Sequence, residues 1–363
     1  MRFISALFLA VAGLALGTDA FAQPNAQPKM SAADSEFVSG VGNLKLMKFA
    51  EAEAAFRRVV EIEPGELRGY VGVVQSFMAQ KKADEAIAYL SAESAKQPLR
   101  MDLHVVTGDT AARAGQYDLA LKEFRMVLAQ LDPKAESPIE VARGAPGATL
   151  NLAPDPNPVA ESLRILTLKD LTPKGAAGLH LRMAEVYRAK QDHVSAVSEW
   201  QKVSEALPKT AWVLANLGME QDSGGKRAEA IKSYRETLEL MPGNALVLNN
   251  IAFLISDTGG DLQEAQRFAH RAASLAPGNV EIMDTEGWIA LKLGYVDDAM
   301  GTFARLVLRQ PARVEFRKHL ALALVEKKVP RTPEFDELIK ALNAPKADGD
   351  ETKVLGLLKP FLQ

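Results

Sequence analysis

A chain of 363 residues with 43 basic and 46 acidic side chains carries a net charge of −3, and no block of Lys or Arg stands out in it. Duplex nucleic acid and anionic membrane, both bound largely through clustered positive charge, are therefore not expected as main partners. The absence of cysteine rules out disulfides, thiolate metal sites, cysteine nucleophiles and a lipid on an N-terminal cysteine.

Residues 1–22 read as an export signal. Arg2 supplies the positive start, Ile4 to Gly17 is an unbroken small-and-apolar run, and Ala20-Phe21-Ala22 has the small-x-small pattern of a cleavage site. The run is short for a bilayer, which needs roughly 20 apolar residues. Cleavage near Ala22 is expected, giving a periplasmic or otherwise exported protein that begins at Gln23 and keeps no stable membrane insertion. Residues 23–32 are rich in Gln, Pro, Asn and Ala, the composition of a flexible leader.

From there a unit of about 34 residues recurs. Residues 33–133 hold three copies. The first has Gly40, Ala52, Phe56 and Pro64, the second Val73-Val74, Ala86, Leu90 and Pro98, and the third Gly108, Ala120, Phe124 and Pro133. The register then fails over 134–176, where the stretch 137–158 is rich in Pro and Gly. This reads as a degenerate repeat with a long loop. Residues 177–311 hold four more copies, with closing prolines at Pro208, Pro242, Pro277 and Pro311; the last two intervals are 35 and 34 residues. Residues 312–363 are expected to cap the array, with Thr332 opening a helix from Pro333 to Ala344 and a last apolar helix from Val354 to Leu362.

Each copy predicts two short antiparallel helices that cross closely. Small residues mark the crossing: Gly108, Gly218 and Ala252 in first helices, Ala86, Ala120, Ala230, Ala265 and Ala299 in second ones. Phe56, Phe124, Tyr234 and Phe303 are expected to fill the space between one hairpin and the next, and the prolines to end each second helix. A period of 34 residues with these small, aromatic and proline positions resembles the tetratricopeptide repeat family. The resemblance implies an all-α fold, a right-handed α-solenoid of antiparallel helix pairs, with no cofactor and a role in binding other proteins.

The search for chemistry is negative. The five histidines show no HExxH or other zinc spacing, and neither G-x-S-x-G nor G-x-x-x-x-G-K-[ST] occurs. No catalytic, metal or cofactor residue is assigned. In the resembled family the first helices line a concave groove at positions 2, 5, 9 and 12 of each repeat. Carried onto this chain, those positions give Trp212, Met219, Asn249, Phe253, Asp284 and Trp288 as candidate partner-binding residues. Aromatic and Met side chains beside amides and acids suit a peptide or an amphipathic helix. The alternative for Trp212, Phe253 and Trp288 is packing between neighbouring helices. The N-terminal counterparts, among them Arg68, Gln75, Asp109, Arg113, Glu185 and Arg188, are more polar.

The words Leu248-Asn249-Asn250-Ile251-Ala252-Phe253 and Asp284-Thr285-Glu286-Gly287-Trp288 are similar to those of bacterial envelope repeat proteins, some from exopolysaccharide and exosortase systems. Two readings follow. One is a non-catalytic scaffold that holds proteins or peptides of the cell envelope during assembly of polysaccharide export, a pilus or a secretion system. The other is an enzyme or small-ligand protein with a pocket under the 137–158 loop.

Overall fold

The computed structural model describes residues 30–131, 173–328, 330–344 and 351–358. The expected signal 1–22, most of the leader, the loop 137–158 with the pocket beneath it, and most of the 134–176 segment lie outside the described residues. Every regular element among the described residues is an α-helix, and there are 17 of them. The chain divides into two compact units, Met1–Pro208 and Lys209–Gln363.

The N-terminal unit stacks four helix pairs: α1 (Ala32–Lys45) with α2 (Phe49–Ile62), α3 (Leu67–Ala79) with α4 (Ala83–Lys96), α5 (Met101–Arg113) with α6 (Tyr117–Gln130), and α7 (Pro173–Ala189) with α8 (His193–Ala206). The C-terminal unit pairs α9 (Ala211–Ser223) with α10 (Arg227–Leu240), α11 (Ala245–Asp257) with α12 (Leu262–Leu275), and α13 (Val280–Lys292) with α14 (Val296–Arg309). It closes on α15 (Val314–Glu326), α16 (Pro333–Leu342) and α17 (Glu351–Leu358).

The helix ends follow from local chemistry. Six second helices stop at a residue placed directly before proline: Glu63, Gln97, Leu207, Met241, Ala276 and Gln310. Each has φ between −123° and −140°. Proline bars the helical region for the residue before it, so the stop acts one place upstream. Within each pair the chain reverses through one left-handed residue. Gly115, Gly225, Gly259 and Gly294 fill that place in four hairpins and Met47, Lys81 and Gln191 in the other three, and Lys328 stands likewise between α15 and α16.

In four of the seven pairs packing rests on a glycine under an aromatic ring sixteen residues later. A Cβ on Gly40 would stand 2.7 Å from Phe56, on Gly108 2.5 Å from Phe124, on Gly218 2.6 Å from Tyr234 and on Gly287 2.8 Å from Phe303. These rings are fully buried. The rings fill the space between hairpins as expected, Phe124 clustering with Met183, Tyr234 with Ile251 and Phe303 with Phe316 of the following helix, and each also lies against its own first helix, where a glycine lets the two backbones approach closely. Phe56 also reaches the next pair, where a Cβ on Gly72 would come within 2.3 Å of it.

Between pairs the N-terminal unit is tied by ion pairs. Arg68 of α3 donates to Asp34 of α1 at 2.6 Å and to Glu63 at 2.5 Å. Arg182 Nε of α7 donates to Asp109 Oδ1 of α5 at 2.9 Å, Arg125 donates to the Tyr187 hydroxyl and Lys190 to Asp118. Leu121, Phe124 and Val127 share one buried cluster with Leu179, Met183 and Val186. The pair α5–α6 therefore packs directly against α7–α8, although 42 residues separate α6 from α7 in the chain. Helix α7 begins at Pro173, four residues before the expected Ala177.

In the C-terminal unit Phe316, Leu320 and Leu324 of α15, Phe335, Leu338 and Leu342 of α16, and Val354 and Leu358 of α17 form the closing cluster. Thr332 caps α16 by accepting from Phe335 N at 3.2 Å. Arg317 is fully buried, and its guanidinium donates to the carbonyls of Ala341 at 3.3 Å and Ala344 at 3.1 Å. Ala341 lies in the last turn of α16 and Ala344 just beyond its C-cap, so the buried charge meets the negative end of that helix.

Candidate functional site

A period of 34 or 35 residues sets the same helix position side by side on α9, α11, α13 and α15. Position 9 gives Met219, Phe253, Trp288 and Leu322, four apolar rungs on four successive first helices. Side-chain bonds along this face join the helices: Lys292 Nζ of α13 donates to the Ser256 carbonyl of α11 at 2.8 Å, and His319 of α15 lies 2.8 Å from Asp284 of α13. Phe253 is 39% exposed and Leu322 50% exposed, with Leu246 and Val325 also open to solvent on the same helices. Large apolar side chains in solvent are common singly; here two of four rungs at the repeat spacing, on α11 and α15, are open to solvent and the two between and before them are half-buried.

Of the six expected residues, five take distinct parts in this face. Phe253 stands out into solvent, so packing between helices does not account for it. Trp288 is half-buried: the His319 ring lies 5.0 Å away at 31°, and the Lys292 ammonium sits 5.1 Å from its centroid on the ring face. Asp284 is taken up by His319, which also lies 5.2 Å from Phe303. Met219 packs partly against Ala230, Tyr234 and Ile251. Asn249 is buried, and its Oδ1 has no hydrogen-bond partner among the described residues. Trp212, at the start of α9, is half-buried, and its carbonyl accepts from Asn216 Nδ2 at 2.8 Å.

Charge on the face is unevenly placed. Glu281 pairs with Arg313, and Asp257 with Arg227 at 2.6 Å. Neither Asp222 nor Lys318 makes an ion pair with a described residue. Asp222 is half-buried in the last turn of α9. Burial raises its carboxyl above the ordinary range; Arg227 draws it back, and the Asp257 charge adds to the rise. Lys318 is exposed, one turn before Leu322.

His319, Lys318 and Leu322 escape the sequence reading because α15 reads there only as part of the cap. Continuing the position count one repeat past Pro311 finds Lys318 and Leu322. The N-terminal counterparts behave differently: Arg68, Asp109, Glu185 and Arg188 are engaged in ion pairs with neighbouring side chains. Among the described residues no group of three or more His, Asp or Glu side chains could hold a metal ion, and no helix is long and apolar enough to cross a membrane. A separate concavity of about 380 Å³ opens between α12, α13 and α14, where His270 lies 2.8 Å from Glu286 beside Tyr295 and Asp298.

Stacked antiparallel helix pairs define a helical-repeat protein. Residues 71–136 match the tetratricopeptide repeat model. Those residues are tetratricopeptide repeats.

The chain is 27% identical over 142 residues to the TPR repeat-containing protein PA4667 of Pseudomonas aeruginosa, a match covering 38% of this chain and 24% of that protein. It is 30% identical over 179 residues to the probable biofilm formation methyltransferase WspC of Pseudomonas putida, covering 46% of this chain and 42% of that one. The chain thus spans less than half the length of these two curated relatives. Among solved structures it is similar to MamA of Desulfovibrio magneticus, at 13% identity and a TM-score of 0.41, covering 51% of this chain and 96% of that chain. A tetratricopeptide repeat protein of Parabacteroides merdae gives 12% identity and a TM-score of 0.44, covering 80% and 98%.

Proposed function

We propose that this protein is an exported, non-catalytic adaptor that holds a segment of a partner protein on the first-helix face of its C-terminal unit, in assembly of a bacterial envelope system such as polysaccharide export, a pilus or secretion. The observation that carries the binding reading is the row Met219, Phe253, Trp288 and Leu322, in which Phe253 and Leu322 stand exposed and packing within the repeat array does not explain them. Export rests on the Arg2, Ile4 to Gly17 and Ala20-Phe21-Ala22 pattern.

The test is crosslinking from a photoreactive residue at position 253 in the producing cell, with the crosslinked proteins identified by mass spectrometry. A small, reproducible set of envelope proteins is expected, lost when Leu322→Glu is added without change in melting temperature. An unchanged set in that variant would sink the docking face. Fractionation of the same cells and N-terminal sequencing should find the protein outside the cytoplasm, starting at Gln23. Retention in the cytoplasm with residues 1–22 intact would sink export.

A further inference from the structure

The ladder ends in two unpaired charges of opposite sign. Asp222 lies three residues after Met219, the first rung, and Lys318 four residues before Leu322, the last; residues three and four apart share a helix face. The two charges therefore mark opposite ends of the row, on a diagonal across it. The other charged groups on the face, Glu281 with Arg313, Asp284 with His319 and Asp257 with Arg227, are matched within the protein.

Asp222 is also poorly placed for stability. It is half-buried, it lies near the Asp257 carboxylate, and it sits at the C-terminal, electronegative end of α9. Arg227, the basic group that acts on it, is bonded to Asp257, and a cation brought from outside would offset what remains. Lys318, exposed at the other end, matches an anion.

We propose that the segment seated on this face is charge-polarised: an apolar stripe with a cationic end over Asp222 and an anionic end over Lys318. This rests on the docking face proposed above. Four helices at about 9 Å spacing make a row on the order of 30 Å long, which a helix of about 20 residues spans. Charge order then selects among apolar segments that the ladder alone would accept equally, by adding two favourable pairs for one order and a repulsion for the others.

The test uses the full chain and three fluorescent 20-residue amphipathic peptides with one shared leucine stripe. Their ends carry lysines at one end and glutamates at the other, lysines at both, or glutamates at both. The bipolar peptide is expected to bind about fivefold more tightly than either uniform one, the scale of one exposed ion pair. Asp222→Lys should make the glutamate-ended peptide the tightest, and Lys318→Glu the lysine-ended one. Asp222→Asn, a milder change, should bring the bipolar and glutamate-ended peptides to equal affinity. Phe253→Ala should weaken all three together.

A rank order that ignores both charge reversals, with the Phe253→Ala loss intact, overturns the polarity and leaves the docking face standing. Failure of any peptide to bind, or binding that ignores Phe253→Ala, overturns both.

Discussion

Gly40 of α1 lies under the ring of Phe56 of α2 so closely that a Cβ on the glycine would stand 2.7 Å from it, while Gly42 two residues on has no atom within 4 Å of the same construction. The two glycines share a helix and differ only in what faces them. Gly40→Ala should therefore destabilise the first repeat by about 1–3 kcal/mol, since a buried ring in a close-packed site has little room to give. Gly42→Ala should stabilise it by roughly 0.5–1 kcal/mol through lost freedom of the unfolded chain. Thermal melts of the two variants, displaced in opposite directions from the parent, are the check. A shift of the same sign in both would remove the close-approach role of Gly40.

The hairpin turns carry a second contrast. Gln191 has φ of 60° where Gly115, Gly225 and Gly294 occupy the equivalent place. A left-handed residue with a Cβ costs roughly 1–2 kcal/mol, and a glycine removes this at the cost of greater unfolded freedom. Gln191→Gly should therefore gain about 0.5 kcal/mol, and Gly115→Ala lose about 1 kcal/mol. Hydrogen exchange in the helices flanking each turn reads the change where it arises.

Much of this architecture is legible in the residues. The prolines mark the helix stops because their steric effect is local, and Gly108, Gly218, Phe124 and Phe303 mark the crossings because the repeat period aligns them. The position-9 rows of α9, α11 and α13 are legible for the same reason. What side chains do across the stack is not. Asp109 and Arg182 are 73 residues apart and meet only because α5 packs on α7, and Asp284 meets His319 only because α13 packs on α15. Such pairs depend on how one hairpin sits on the next, which the period of one chain does not encode. The packing of α5–α6 directly on α7–α8 is hidden for the same reason.

Arg317 offers a test of the closing helices. Its charge is fully buried, and the hydrogen bonds to Ala341 and Ala344 satisfy two carbonyls at the end of α16. Arg317→Ala takes the guanidinium partner from the Ala344 carbonyl and leaves a cavity where the buried side chain was, and should cost about 3 kcal/mol or more. Because repeats open locally, the loss should appear first as faster hydrogen exchange in Pro333–Leu342, with α1 to α8 unchanged. Unaltered exchange in α16 would contradict the role of the guanidinium as its C-terminal partner.

Two carboxylates give opposite responses to acid. Burial alone would raise the Glu199 carboxyl, but hydrogen bonds from His180 and Lys202 hold it below its ordinary value of 4.5. Burial raises the Asp222 carboxyl above its ordinary 3.8, with Arg227 opposing and Asp257 adding to the rise. A carboxyl lowered in the folded state adds stability above its unfolded value and loses it as the pH falls through the folded one. A raised carboxyl subtracts stability above its folded value and nothing below its unfolded one. Glu199→Gln should therefore lower the melting temperature at pH 7, with the deficit closing as the pH drops below 4.5. Asp222→Asn should raise it at pH 7, with the gain vanishing as the pH approaches 3.8. Melting the parent and both variants from pH 7 to pH 3 decides the matter: shifts of the same sign at pH 7, or shifts independent of pH, would mean that these environments do not set the ionisation of the two groups.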